Sequence, residues 1–160
     1  MARHEEALIW FDKVLAIDPD NLDALVTKGR SLQSLGKNEE AVTVYDKELA
    51  IEPNETNALY SKGTALHELG KYADAITLYD QVIVTDSNST AALTSKGNAL
   101  SYLGKYEESL PFFDKALAID PNDTFALTDK GFSLYQLGRY AEAIASYDNV
   151  LKIDPYTGII

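Results

Sequence analysis

Few side chains in this sequence are suited to chemistry. It contains two histidines, His4 and His67, and no cysteine. Without thiols there are no disulfides and no thiolate metal sites, and the redox compartment stays undetermined. His67 and Ser101 sit at equivalent places 34 residues apart. A nucleophile–base pair also needs an orienting acid and an oxyanion site, and no pattern marks either. Asp86-x-Asn88-x-Thr90 opens like a calcium loop, but its sixth position is Ala91 and its twelfth Gly97. That loop requires glycine and glutamate there, so Asn88-Ser89 reads as helix capping. Asn54-Glu55-Thr56, Asn88-Ser89-Thr90 and Asn122-Asp123-Thr124 are formal glycosylation sequons that recur because a turn recurs. The glycines are solitary, with no phosphate-cradling loop. The expectation is no enzyme activity, no catalytic residue, no metal and no cofactor.

Charge narrows the partners. Lys and Arg number 14 against 25 Asp and Glu, a formal charge of −11. No three basic residues adjoin, whereas a phosphate-tracking surface needs them clustered. Nucleic acid and anionic membranes are therefore not expected as partners. The longest wholly apolar run, Ala7–Phe11, is far short of the ~20 residues of a membrane span. No apolar signal segment follows Met1-Ala2-Arg3-His4-Glu5-Glu6. The expected location is cytoplasmic.

What the chain does contain is a repeat. Glycines recur every 34 residues at Gly29, Gly63, Gly97 and Gly131, and again at Gly36, Gly70, Gly104 and Gly138. A small-residue column holds Ala7, Ala41, Ala75, Ser109 and Ala143, and an aromatic one Phe11, Tyr45, Tyr79, Phe113 and Tyr147. Pro19, Pro53, Pro121 and Pro155 share a column in which Ser87 replaces the remaining member. Between columns, apolar residues return at three and four, as in Leu59, Gly63, Leu66 and Leu69, which is helical spacing. The second glycine of each unit stops a first helix, and Asp-Pro ends a second. Asn21, Glu55, Ser89 and Asp123 stand where the next helix starts; all but Glu55 are good N-caps.

From Ala58 to Asp80 the chain reads small-Leu-x-x-Lys-Gly-x-x-Leu-x-x-Leu-Gly-Lys-Tyr-x-x-Ala-Ile-x-x-Tyr-Asp. This resembles the tetratricopeptide (TPR) family over essentially the whole chain. The family's frequent early tryptophan is leucine here, at Leu25, Leu59, Leu93 and Leu127. The resemblance implies an all-α, right-handed superhelical solenoid of antiparallel helix pairs. The expected layout is a half-repeat at 1–21, repeats at 22–55, 56–89, 90–123 and 124–157, and a tail at 158–160, with nine helices. Lys28, Lys62, Lys96 and Lys130 precede the packing glycines, and Asp12, Asp46, Asp80, Asp114 and Asp148 follow the aromatics. These rows suit either a ladder of interhelical ion pairs, tested on Lys62 and Asp80, or two independent solvated faces.

For function, the resemblance implies a non-catalytic scaffold whose first helices line a concave groove for a peptide or protein segment. The candidate peptide-binding residues are Tyr60, Thr64, His67, Asn98, Tyr102, Phe125, Thr128, Phe132 and Tyr135. Groove positions that avoid the packing columns also include Val26, Arg30 and Asn57. The Lys/Asn/Arg clamp by which some TPR domains hold acidic C-termini is missing, with Val26, Arg30, Ser61, Ala91 and Ser95 at its places. Phe125, Phe132 and Tyr135 make a stripe distinct from the packing face of Leu127, Gly131 and Leu134. That stripe is either an aromatic grip for a partner or a surface covered by neighbours. The first and last helices leave apolar faces uncovered, as in a segment of a longer protein. The alternative is a self-associating structural piece, a homo-oligomer joined through its terminal helices.

Overall fold

A computed structural model describes residues 2–155. The expected tail at 158–160, residues 156–157 of the last repeat and the side chain of His4 lie outside the described residues. Among the described residues there are nine helices and no strand: α1 (Ala2–Ile17), α2 (Leu22–Ser34), α3 (Asn38–Ile51), α4 (Thr56–Glu68), α5 (Tyr72–Thr85), α6 (Thr90–Tyr102), α7 (Tyr106–Ile119), α8 (Thr124–Gln136) and α9 (Tyr140–Ile153). The chain divides into two compact units, Met1–Thr85 and Asp86–Ile160. Within each unit every helix packs on the next, and the first helices of successive pairs, α2 with α4 and α6 with α8, also touch. Three-residue connections make the members of each pair antiparallel neighbours.

The helix ends are specified locally. Gly36, Gly70, Gly104 and Gly138 all take φ between +72° and +74°, the left-handed region glycine enters without a Cβ penalty. At the first of these turns the Gly36 N–H donates to Gln33 O at 2.8 Å and the Lys37 N–H to Leu32 O at 2.9 Å, a Schellman closure. Asn21, Ser89 and Asp123 accept from backbone N–H groups of the first turns they precede. Glu55 also caps: its Oε2 accepts the Ala58 N–H at 2.5 Å, so the weakest expected cap is used like the others. Where Ser87 replaces proline, Asp86 Oδ1 accepts the Asn88 N–H at 3.0 Å. Asp120 and Asn122 make the same bond at 3.0 Å in a turn that keeps its proline. The turn is thus closed by its aspartate and not by the proline. Pro111 lies inside α7, which continues through it to Ile119.

Each pair is locked by an aromatic ring lying on bare backbone. A Cβ on Gly29 would stand 2.5 Å from Tyr45 Cε1; on Gly63, 2.7 Å from Tyr79; on Gly97, 2.6 Å from Phe113; and on Gly131, 2.7 Å from Tyr147. No side chain fits in that gap. The small column closes the other side, with Ala41, Ala75 and Ser109 fully buried. In unit 2 the serine at this column is satisfied inside the core: Ser109 Oγ donates to Tyr106 O at 2.7 Å and lies within hydrogen-bond distance of Ser133 Oγ, at 3.0 Å.

The charged rows form interhelical ion pairs, but with a different partner from the one expected. Lys62 Nζ reaches Asp46 Oδ1 at 2.6 Å, on the second helix of the preceding pair, and not Asp80 of its own. Lys28–Asp12 at 2.5 Å and Lys130–Asp114 at 2.7 Å repeat the geometry. The lysine lies one residue before the packing glycine and so points back across the seam between pairs. The bonds therefore tie pair to pair within each unit. The lysines are mostly covered while the aspartates are largely exposed, which keeps each pair weak.

Two outcomes test this architecture. Gly63→Leu must displace the Tyr79 ring and should lower stability by about 1–3 kcal/mol in chemical denaturation. A double-mutant cycle on Lys62→Ala and Asp46→Ala should give a coupling of about 0.2–1 kcal/mol, and the cycle with Asp80→Ala none.

Candidate functional site

In unit 1 the expected groove residues lie on α4. Tyr60 is half-buried, its ring 5.8 Å from that of Tyr79. Thr64 is half-buried, and its hydroxyl donates to Tyr60 O at 3.0 Å. His67 packs edge-on to Tyr72 with centroids 5.0 Å apart. One recess of this unit lies between α2, α3 and α4. It is a cavity of about 400 Å³ lined by Val26, Arg30, Tyr45, Glu48, Asn57 and Ser61, among others.

The floor of that cavity is polar and ordered. Tyr45, buried against Gly29, donates its hydroxyl to Gln33 Oε1 at 2.5 Å, and Gln33 Nε2 donates to Ser61 O at 3.2 Å. Burial pushes the Tyr45 phenol up to about 12. Glu48 is only 3% exposed, and its Oε2 has no hydrogen-bond partner. Burial first, then the charges of Glu55 and Glu52, push its carboxyl up to about 7.

Unit 2 presents a different surface. Asn98 is tied down, its Nδ2 donating to Asp129 Oδ2 at 2.7 Å between α6 and α8. The Thr128 hydroxyl turns back to Thr124 O at 2.7 Å, along its own helix. Ser101 is buried, donating to Gly97 O at 3.0 Å and lying 2.7 Å from Ser133 Oγ, which makes it part of the core. The aromatics are outside. Phe125 is 77% exposed, Tyr102 61%, Tyr135 56% and Phe132 44%. Neighbouring rings steady two of them: Tyr106 meets Phe132 edge-on at 6.1 Å, and Tyr140 lies 5.4 Å from Tyr135. Beneath the stripe, burial raises the Tyr147 phenol above its ordinary value.

Among the described residues no group of three His, Asp or Glu is placed to hold a metal ion. No helix among them is long and apolar enough to cross a membrane.

Comparison with known proteins follows the repeat. Residues 90–123 and 125–156 match the family model described as tetratricopeptide repeat. Residues 1–82 match the one described as anaphase-promoting complex, cyclosome, subunit 3, and carry the same glycine and aromatic columns. The chain belongs to the tetratricopeptide repeat family. Among solved TPR-like structures, MamA is 20% identical with a TM-score of 0.89, covering 95% of this chain and 89% of that one. MamA 41-end from Desulfovibrio magneticus RS-1 is 24% identical with a TM-score of 0.90, covering 97% and 88%. YrrB, described as a TPR protein with an unusual peptide-binding site, is 23% identical with a TM-score of 0.83, covering 98% and 80%. No curated protein matches the chain significantly.

The cavity floor of this TPR chain was not among the expected site residues, although a signal for it existed. Glu48 occupies the column of Val14, Val82, Ala116 and Val150. A carboxylate in an apolar column is costly unless something compensates it. Protonation does so at low pH. The folded carboxyl titrates above its unfolded value, so its favourable contribution is complete below about pH 4.5 and is lost as pH rises through about 7. Glu48→Gln should remove that loss. Denaturant unfolding should show wild type falling relative to the variant by on the order of 2 kcal/mol between acid pH and pH 8, allowing for solvent in the cavity.

Proposed function

We propose that the protein is a non-catalytic scaffold that holds a peptide or protein segment on the faces of its first helices. The observation carrying this reading is the stripe of Phe125, Phe132 and Tyr135 on α8. Ala126, Leu127 and Leu134 of the same helix are buried, so its packing face is satisfied without the stripe. Large rings held outside the core cost solvation and supply rigid contact area, which is how interface anchors behave. Tyr102 of α6 is exposed as well. The occupant that fits is an extended or helical segment presenting large apolar or aromatic side chains. The description of YrrB as peptide-binding supports the same use of the fold. The absent clamp cations and the −11 charge disfavour a strongly acidic segment.

A second reading has its own observation. On α1, Ile9 is 59% and Trp10 66% exposed, and on α9 Ile144 is 60% exposed. Surfaces of this kind suit self-association through those helices.

Selection of displayed random peptides on the immobilised protein separates these readings. The expected winners carry Phe, Trp or Leu, and bind Phe125→Ala/Phe132→Ala/Tyr135→Ala at least tenfold more weakly while its helical spectrum and melting are retained. Identical winners on both proteins would refute the aromatic grip. A mass that rises with concentration, and reverts in Trp10→Ala, would instead favour self-association.

A further inference from the structure

The cavity between α2, α3 and α4 is lined by none of the stripe residues and holds the feature the repeat explains least. Four of the five members of its column are Val or Ala, and the fifth is a carboxylic acid buried to 3% exposure with an unpartnered oxygen. A buried acceptor without a donor is unfavourable. The lining repays that cost only when a donor arrives.

We propose that the cavity between α2, α3 and α4 takes one protonated amine or guanidinium on an alkyl arm, such as a lysine or arginine side chain of a bound peptide, with Glu48 as its counter-charge. The walls suit both parts of such an arm. Val26 offers apolar surface to the methylene stem, and Glu48, 3% exposed, lies at the buried end. A volume of about 400 Å³ lies within the range of specific ligand recesses.

The surrounding charge has the right sign. On α3 and its end stand Glu48 and Glu52, with the neutral phenol of Tyr45. Before α4 stands Glu55, held in place by its cap to Ala58, and on α4 are Asn57 and Ser61. On α2 stands Arg30, an exposed residue at the mouth of the cavity. The charges that bear on Glu48 are those of Glu55 and Glu52, both negative. Arg30 is placed to meet a carbonyl or carboxylate of the same ligand at the entrance. Because Glu48 must ionise to pair, binding releases a proton and tightens as pH rises through about 7.

Only the attachment of the arm to a peptide rests on the scaffold reading, and small probes test the pocket without it. N-acetyl-lysine-methylamide, its neutral norleucine analogue and n-butylammonium are titrated by NMR into wild type, Glu48→Gln and Glu48→Val. Valine is the residue that two other pairs carry at this column, which keeps one variant well packed. The lysine derivative should shift amides of Arg30, Tyr45, Glu48 and Ser61. It should bind about 30-fold more tightly at pH 8 than at pH 5.5, and at least tenfold more weakly to both variants at pH 8. Butylammonium binding as tightly as the lysine derivative would support the pocket and assign it to free organic cations. Weaker butylammonium binding would assign it to a peptide side chain. Equal binding of the norleucine analogue, affinity that survives both substitutions, or no shift at tens of millimolar would overturn the proposal. Failure of the aromatic triple variant to lose peptides, with lysine binding intact, would sink the aromatic grip alone.

Discussion

One contact sets the geometry of every pair: an aromatic ring pressed onto a glycine Cα. At Gly29, Gly63, Gly97 and Gly131 the ring leaves less than 3 Å for a Cβ, so the two columns are chemically interdependent. The ring must be flat, and its partner must have no side chain. Close approach of the two backbones then buries the small column beside it, where Ala41 and Ala75 have no exposure. Because the contact is satisfied inside each pair, the first helices keep one face free of packing duty. That freedom lets α8 carry Phe125, Phe132 and Tyr135 without disturbing its own core.

A second set of contacts joins pairs within each unit, and it adds polar bonds to apolar packing such as the cluster of Leu110, Leu134 and Ala143. Within each unit a lysine next to a packing glycine reaches back to the aspartate beside the preceding aromatic, as in Lys28–Asp12, Lys62–Asp46 and Lys130–Asp114. Gln33 bridges α2 to α4 and Asn98 bridges α6 to α8. Such bonds contribute little energy when half-exposed, but they discriminate between registers that apolar packing would tolerate. A ring on glycine within pairs, and directional bonds added to the apolar packing between them, are features that a 34-residue period can repeat.

The repeat was legible because it is written in residue types with sharp physical meaning. Glycine at φ near +73°, proline after aspartate and a small residue opposite an aromatic each admit few alternatives. Side chains whose role depends on direction were less legible. The charged rows announced ion pairs, but whether Lys62 looks forward to Asp80 or back to Asp46 depends on how successive pairs nest, which no single unit encodes. Asn98 and Thr128 occupied plausible groove positions, yet Asn98 bonds across to Asp129 and Thr128 to its own helix. Exposure could be read from spacing; hydrogen-bond allegiance could not. Glu48 was visible as an acid in an apolar column, but its meaning needed the cavity beside it.

Departures from the period therefore carry more functional information than the period itself. A position that obeys its column is explained by packing, and selection for the stack suffices to account for it. Glu48 breaks its column at a cost that rises with pH, as its carboxyl is driven to ionise where water is scarce. Ser109 also breaks a column, but its hydroxyl is fully engaged with Tyr106 and Ser133 and leaves nothing outstanding. The difference between the two is whether the structure itself meets the demand of the odd residue. Where it does, the departure is core chemistry. Where it does not, and the residue lines a cavity, the unmet demand names the chemistry that would satisfy it.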